Sequence, residues 1–145
     1  MKTRMKKITI LYILLLPLLS ICQTDSLSFT LTIQADSTLS FRTDNSELYS
    51  YLEEQIDITV ERGFFPREKA IAICFISSNG TLDSTIVVSS HDHLKLEVSN
   101  ALEKIESFNV LNQYANDRIK LSLIFKRWKE AGIFEIVGRV IPHYQ

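Results

Sequence analysis

Ala70-Ile71-Ala72-Ile73-Cys74-Phe75-Ile76, Asn79-Gly80 and Leu82-Asp83-Ser84-Thr85-Ile86-Val87-Val88-Ser89 decide the fold. The first run is apolar throughout and rich in β-branched and aromatic residues, the signature of a strand buried on both faces. Asn79-Gly80 supplies the positive backbone dihedrals of a tight hairpin turn. Leu82 to Ser89 alternates, with Leu82, Ser84, Ile86 and Val88 on one side and Asp83, Thr85, Val87 and Ser89 on the other.

Downstream, Asp92 is a helix cap, and Leu94, Val98, Ala101, Leu102, Ile105 and Phe108 share one helical face. A polar loop from Asn112 to Asp117 leads to Ile119, Leu121, Leu123 and Phe125. These alternate with Lys120, Ser122, Ile124 and Lys126, so the third strand has one wetter face. A hairpin, a right-handed helical crossover and a third strand give the order second, first, third. The first strand is then central and the third lies at an edge.

Upstream, Phe29, Leu31 and Ile33, then Leu39 and Phe41, predict a short hairpin turning at Ala35 to Ser37. Asp44 to Ser46 offers capping oxygens to a helix whose stripe is Leu48, Leu52, Ile56 and Val60. Gly63 ends that helix and Pro66 bars its continuation. Glu53, Glu54, Asp57 and Glu61 fall off the stripe as a solvated face.

Lys2, Arg4, Lys6 and Lys7 precede an apolar run from Ile8 to Ile21 of about 14 residues, short of the ~20 that span a bilayer. This is the layout of a secretory signal, residues 1–22, cleaved after Cys22. A lipid on Cys22 and a retained membrane anchor are the alternatives. Cleavage leaves residues 23–45 as the hairpin segment and 46–145 as an α+β domain. The exported chain has twelve basic against seventeen acidic residues, about −5, which gives no general attraction to nucleic acid. It keeps one cysteine, Cys74, inside an apolar run where a thiol behaves as a small hydrophobe.

Glu68 to Lys126 resembles the C-terminal domain of TonB-type proteins. The likeness rests on Phe75-Ile76, Asn79-Gly80, Val87-Val88-Ser89-Ser90, the helix Leu94 to Ile105, Phe108 and Leu121-Ser122-Leu123-Ile124-Phe125. Val110 stands where the family often has Pro. The three prolines, at 17, 66 and 142, leave no Pro-rich spacer of the kind the energy transducers carry. The resemblance implies an α+β fold: an antiparallel three-stranded sheet in β-β-α-β order, with the preceding helix and the N-terminal hairpin. It also implies a periplasmic or secreted protein-interaction module that takes a segment of an outer-membrane TonB-dependent transporter as an added strand. The edge implied is Ile119, Lys120, Leu121, Ser122, Leu123, Ile124 and Phe125. Two plainer readings stand beside it: Lys120 and Lys126 protect that edge, or Ile133 to Ile141 covers it with the chain's own strand.

No nucleophile elbow and no phosphate loop is present, so no enzyme activity and no cofactor is assigned. His91, Asp92 and His93 have metal-ligand chemistry, and His143 is the remaining histidine. No second ligand group is placed near them, so no metal is assigned. Trp128 beside Lys126, Arg127 and Lys129 either stacks on a ligand or closes the end of a core, and the basic run itself reads as a solvated strand end. The alternative functions are a small exported metal-binding protein and a structural envelope protein, dimeric through Ile133 to Ile141.

Overall fold

In the computed structural model, residues 26–111 and 114–142 are described. Residues 1–22, read above as a secretory signal, Asn112 and His143 lie outside them. Along the chain run β1 (Leu27–Leu31), β2 (Thr38–Leu39), α1 (Ser46–Gln55), β3 (Glu68–Ile76), β4 (Leu82–Ser89), α2 (Asp92–Glu103) and β5 (Ile105–Val110). β6 (Ile119–Trp128), a 3₁₀ turn (Lys129–Ala131) and β7 (Ile133–Pro142) follow. The fold is mixed α+β, with an antiparallel sheet in the order β2-β7-β6-β3-β4 and a separate parallel pair, β1-β5.

The expected order of second, first, third strand recurs as β4-β3-β6, but the sheet has five strands and not three. β7 pairs with β6 from Trp128↔Ile133 to Ile119↔Pro142, so Ile119 to Phe125 is an interior strand and not an edge. The polar face of β6 reflects an open sheet face and not a rim. β7 runs unbroken through Gly138. A Cβ at Gly138 would stand 2.6 Å from Leu39 and 2.8 Å from Phe41, so the glycine admits these side chains over β7.

Both helices lie on one side of the sheet, with α2 against β3 and β4 and α1 against α2 and β1. Ala70, Ala72, Cys74 and Ile76 of β3 and Ile119, Leu121, Leu123 and Phe125 of β6 are buried there with Leu94, Val98, Ala101 and Leu102. The small residues of β3 let a helix approach this interior strand closely. Leu31, Ile33, Leu39 and Phe41 belong to the same core. The Tyr51 hydroxyl donates to the Ala101 carbonyl at 2.7 Å, joining α1 to the end of α2. β3 was expected to be buried on both faces. Its other face, Ile71, Ile73 and Phe75, is only half-buried, because no helix among the described residues covers it.

The hairpin expected near the N-terminus does not form. The chain turns at Gln34 to Thr38, but β1 pairs with β5 and β2 with β7. Buried Asn45 holds the diverging strands: its Oδ1 accepts from the Thr32 N–H, and its Nδ2 donates to the Thr32 and Ser40 carbonyls. Asn45 therefore precedes α1 without capping it. α1 stops at Gln55, short of Val60, because the Asp57 side chain accepts the Thr59 N–H in a local turn that competes with the helix. Val60 is exposed.

Ile105 and Phe108 are strand and not helix. Ile105 pairs with Leu27 and Ser107 with Ser28, so Glu106 is an inserted bulge residue. The bulge turns two residues three apart toward one side, and this imitates helical spacing. Asp92 lies in the first turn of α2, behind His91 at the cap position. The β3–β4 connection is a loop from Ser77 to Thr81 in which Gly80 alone has positive φ, at 87°. A Cβ there would collide with the Phe108 carbonyl oxygen, while the Gly80 carbonyl accepts the Phe108 N–H at 2.7 Å.

Candidate interaction surface

The sheet ends at β4 on one side and at β2 and β7 on the other. Along β7, β2 pairs at Gly138 and Arg139, and the Ser37 carbonyl accepts the Val140 N–H at 2.8 Å. Along β4, no strand among the described residues pairs on the outer side of Leu82 to Ser89, apart from the bridge of neighbouring Thr81 to Ser107. This rim is eight residues long; it starts with a charged bulge at Asp83, and from Ser84 to Ser89 it has no charge, Lys, Pro or bulge. Edge strands without such guards present backbone donors and acceptors to another chain.

The face turned away from the helices continues from this rim. Ile86 is 51% and Val88 62% exposed, and on β7 Val137 is 39% and Ile141 47% exposed. At one end of the face Trp128, Ile133, Arg67, Lys69, Lys126 and Glu135, with Glu68 and Arg127 behind them, line a groove of about 540 Å³. The Arg67 guanidinium lies 4.3 Å from the centre of the Trp128 ring, a cation–π contact. Trp128 neither closes the core nor sits behind it; strand alternation puts it on the open face, half-buried. At the opposite end a polar cleft of about 260 Å³ is lined by Ser77, Asn79, Ser107, Asn109 and Asp117 among others.

The basic run at the end of β6 is divided by the same alternation. Lys126 faces out and pairs with Glu135 at 2.9 Å, while the Arg127 side chain is 1% exposed. Arg127 Nε donates to Glu68, and its Nη1 donates to Glu97 at 2.5 Å and to the Asp57 carbonyl at 2.8 Å. Burial pulls the guanidinium pKa down, and the bonds and charges of Glu68 and Glu97 outweigh it, so the group is held charged. Lys129 reaches Glu61 at 3.0 Å and Asp57 at 3.3 Å, so half of the acidic face read on the preceding segment is paired. Sequence reasoning missed Arg127 as a buried centre, although its place in the buried register of Ile119, Leu121, Leu123 and Phe125 carries that signal.

Of the predicted site residues, Leu121, Leu123, Phe125 and Ile119 point into the core, and Lys120, Ser122 and Ile124 stand on the open face. Both sides of their strand are taken by β3 and β7, so they offer no rim to an added strand. His91 and Ser90 meet side chain to side chain at 3.2 Å. Among the described residues no group of three or more His, Cys, Asp or Glu side chains is placed to hold a metal ion. Cys74 is buried beneath α2, and burial pushes its thiol up to about 12. Among the described residues no helix is long and apolar enough to cross a membrane.

No protein-family model matches the chain, and no curated protein or solved structure does either.

Proposed function

We propose that the protein is an exported interaction module of the cell envelope that takes an extended segment of a partner protein as an added strand along β4. The supporting observation is the rim Leu82 to Ser89 at the end of the sheet beside β3, which past the bulge at Asp83 carries no charge, Lys or Pro. Backbone hydrogen bonds supply affinity in this mode, and alternate side chains select the sequence. Ile86 and Val88 on one side and Thr85 and Val87 on the other offer that selection. Export rests on the basic and apolar start of the chain, and the partner class, an outer-membrane transporter segment, rests on the TonB-like pattern of Glu68 to Lys126. The binding rim moves from Ile119 to Phe125, where β7 already pairs, to β4.

Titration of the isotopically labelled protein with synthetic N-terminal segments of such transporters tests this reading. Saturable amide shifts centred on Thr85 to Ser89 are expected, and they weaken in Ile86→Lys. Shifts centred on the loops, or none, would overturn it.

A further inference from the structure

Strand register builds the uncovered face row by row. Val88, Ile71, Ile124 and Val137 align across β4, β3, β6 and β7. On one side of this aliphatic row lie Lys69, Lys126 and Glu135, then Trp128 and Ile133 beneath Arg67. On the other side come Ile86, Ile73, Ser122 and Arg139, then Ser84, Phe75, Lys120 and Ile141. The centre is apolar and both ends carry cations.

The charge on this face opposes that of the molecule. From Ser26 onward the chain has twelve basic and sixteen acidic residues. Five of the basic residues, Arg67, Lys69, Lys120, Lys126 and Arg139, are gathered here against fewer carboxylates: Glu135 in the strand rows, Glu68 in the lining of the groove and Asp83 at the bulge of β4. Asp36, on the turn before β2, acts on Arg139 from the rim. An apolar patch framed by one sign of charge is a docking surface for a partner of the opposite sign.

We propose that this face receives an acidic amphipathic helix of a partner protein. Its apolar stripe lies along Val88, Ile71, Ile124 and Val137, and its carboxylates reach Lys69, Lys126 and Arg67 at one end and Lys120 and Arg139 at the other. A second copy of this chain fits badly, because two cation-framed faces would oppose like charges. An anionic lipid surface matches the charge, but it leaves unfilled the groove between Trp128, Ile133, Lys69 and Lys126, which admits a bulky side chain with a carboxylate beside it. The surface shares Val88 and Ile86 with the β4 rim but not the rim's backbone groups, since side chains project perpendicular to its hydrogen-bonding direction, and the cations and Trp128 lie on other strands.

Trp128 is the chain's one tryptophan and reports on this face directly. The full chain is titrated with a synthetic helix of about 18 residues, Leu on one face and Glu on the other, and with its Leu/Lys counterpart. Vesicles of phosphatidylglycerol form a third arm, and sedimentation a fourth. The expected result is a saturable change in Trp128 fluorescence with the Leu/Glu helix. The Leu/Lys helix should bind at least about tenfold more weakly, as should a Lys69→Glu, Lys126→Glu variant of unchanged circular dichroism. Val88→Ser with Ile124→Ser should weaken binding without altering the preference for Glu. Equal binding of the two helices, an unchanged affinity in the charge variant, a response to vesicles alone, or a dimer that excludes the helix would overturn the proposal.

Discussion

Arg127 is the side chain on which three segments converge. It comes from the core face of β6 and bonds to Glu68 of β3, Glu97 of α2 and the Asp57 carbonyl of the loop after α1. Removing a buried charge leaves its partners uncompensated, at a cost of several kcal/mol. Glu68 and Glu97 keep some contact with water, at 19% and 25% exposure, which moderates the penalty. Arg127→Leu is expected to lose about 2–4 kcal/mol in denaturant unfolding, and Glu97→Gln about 1 kcal/mol. Asp57 adds a pH dependence. The Thr59 N–H and hydroxyl, followed by Lys129, hold its carboxyl down at about 2. A depressed carboxyl pKa stabilises the fold above the ordinary value of 3.8, and the contribution is lost as pH falls toward 2. Asp57→Asn should therefore be less stable than the parent near neutrality, with the gap closing between pH 4 and 2 in acid titrations of unfolding. Cys74 should resist alkylation at pH 8 while the protein is folded and react on unfolding, read by mass spectrometry of its peptide.

At the scale of elements, β7 and the connection from β1 to β2 decide how much of the sheet stays open. Gly138 lets Leu39 and Phe41 lie across β7. Gly138→Val forces those side chains apart and is expected to cost about 1–3 kcal/mol, with loss of protection at Leu39 in hydrogen exchange. The central elements were legible because their signals are local. β3, β4, α2 and β6 follow from apolar runs, alternation and helical spacing, and their mutual order follows from handedness. What escaped was non-local or disguised. The bulge at Glu106 gave β5 a helical spacing, and the Asp57 turn ended α1 while the apolar spacing continued to Val60. The partners of β1 and β2 lie about 80 to 100 residues away in the chain, beyond the reach of any local pattern. The candidate rim was misplaced for the same reason: the polar alternation of β6 reads alike for an edge strand and for an interior strand with one uncovered face. Trp128 and Lys126 were noticed from sequence, but Arg67, Lys69, Lys120 and Arg139 join them only through register.

Among the described residues, one helical layer covers one face of a five-stranded sheet, and the other face and one rim remain open. A sheet this long does not need its second face covered to hold together, since Ala70 through Phe125 already build a core with α1 and α2. The uncovered face and rim are thus free to serve recognition. Strand addition in this protein requires β4 to be the accepting rim, since β6 is already paired on both sides by β3 and β7. Amide hydrogen exchange with and without a saturating transporter segment tests this most directly. The account predicts that Ile119 to Phe125 are protected from the outset and unchanged by peptide, whereas outward-facing amides of Leu82 to Ser89 exchange rapidly alone and slow at least about tenfold when peptide is bound. Peptide-dependent slowing at Ile119 to Phe125 with none along β4 would contradict it.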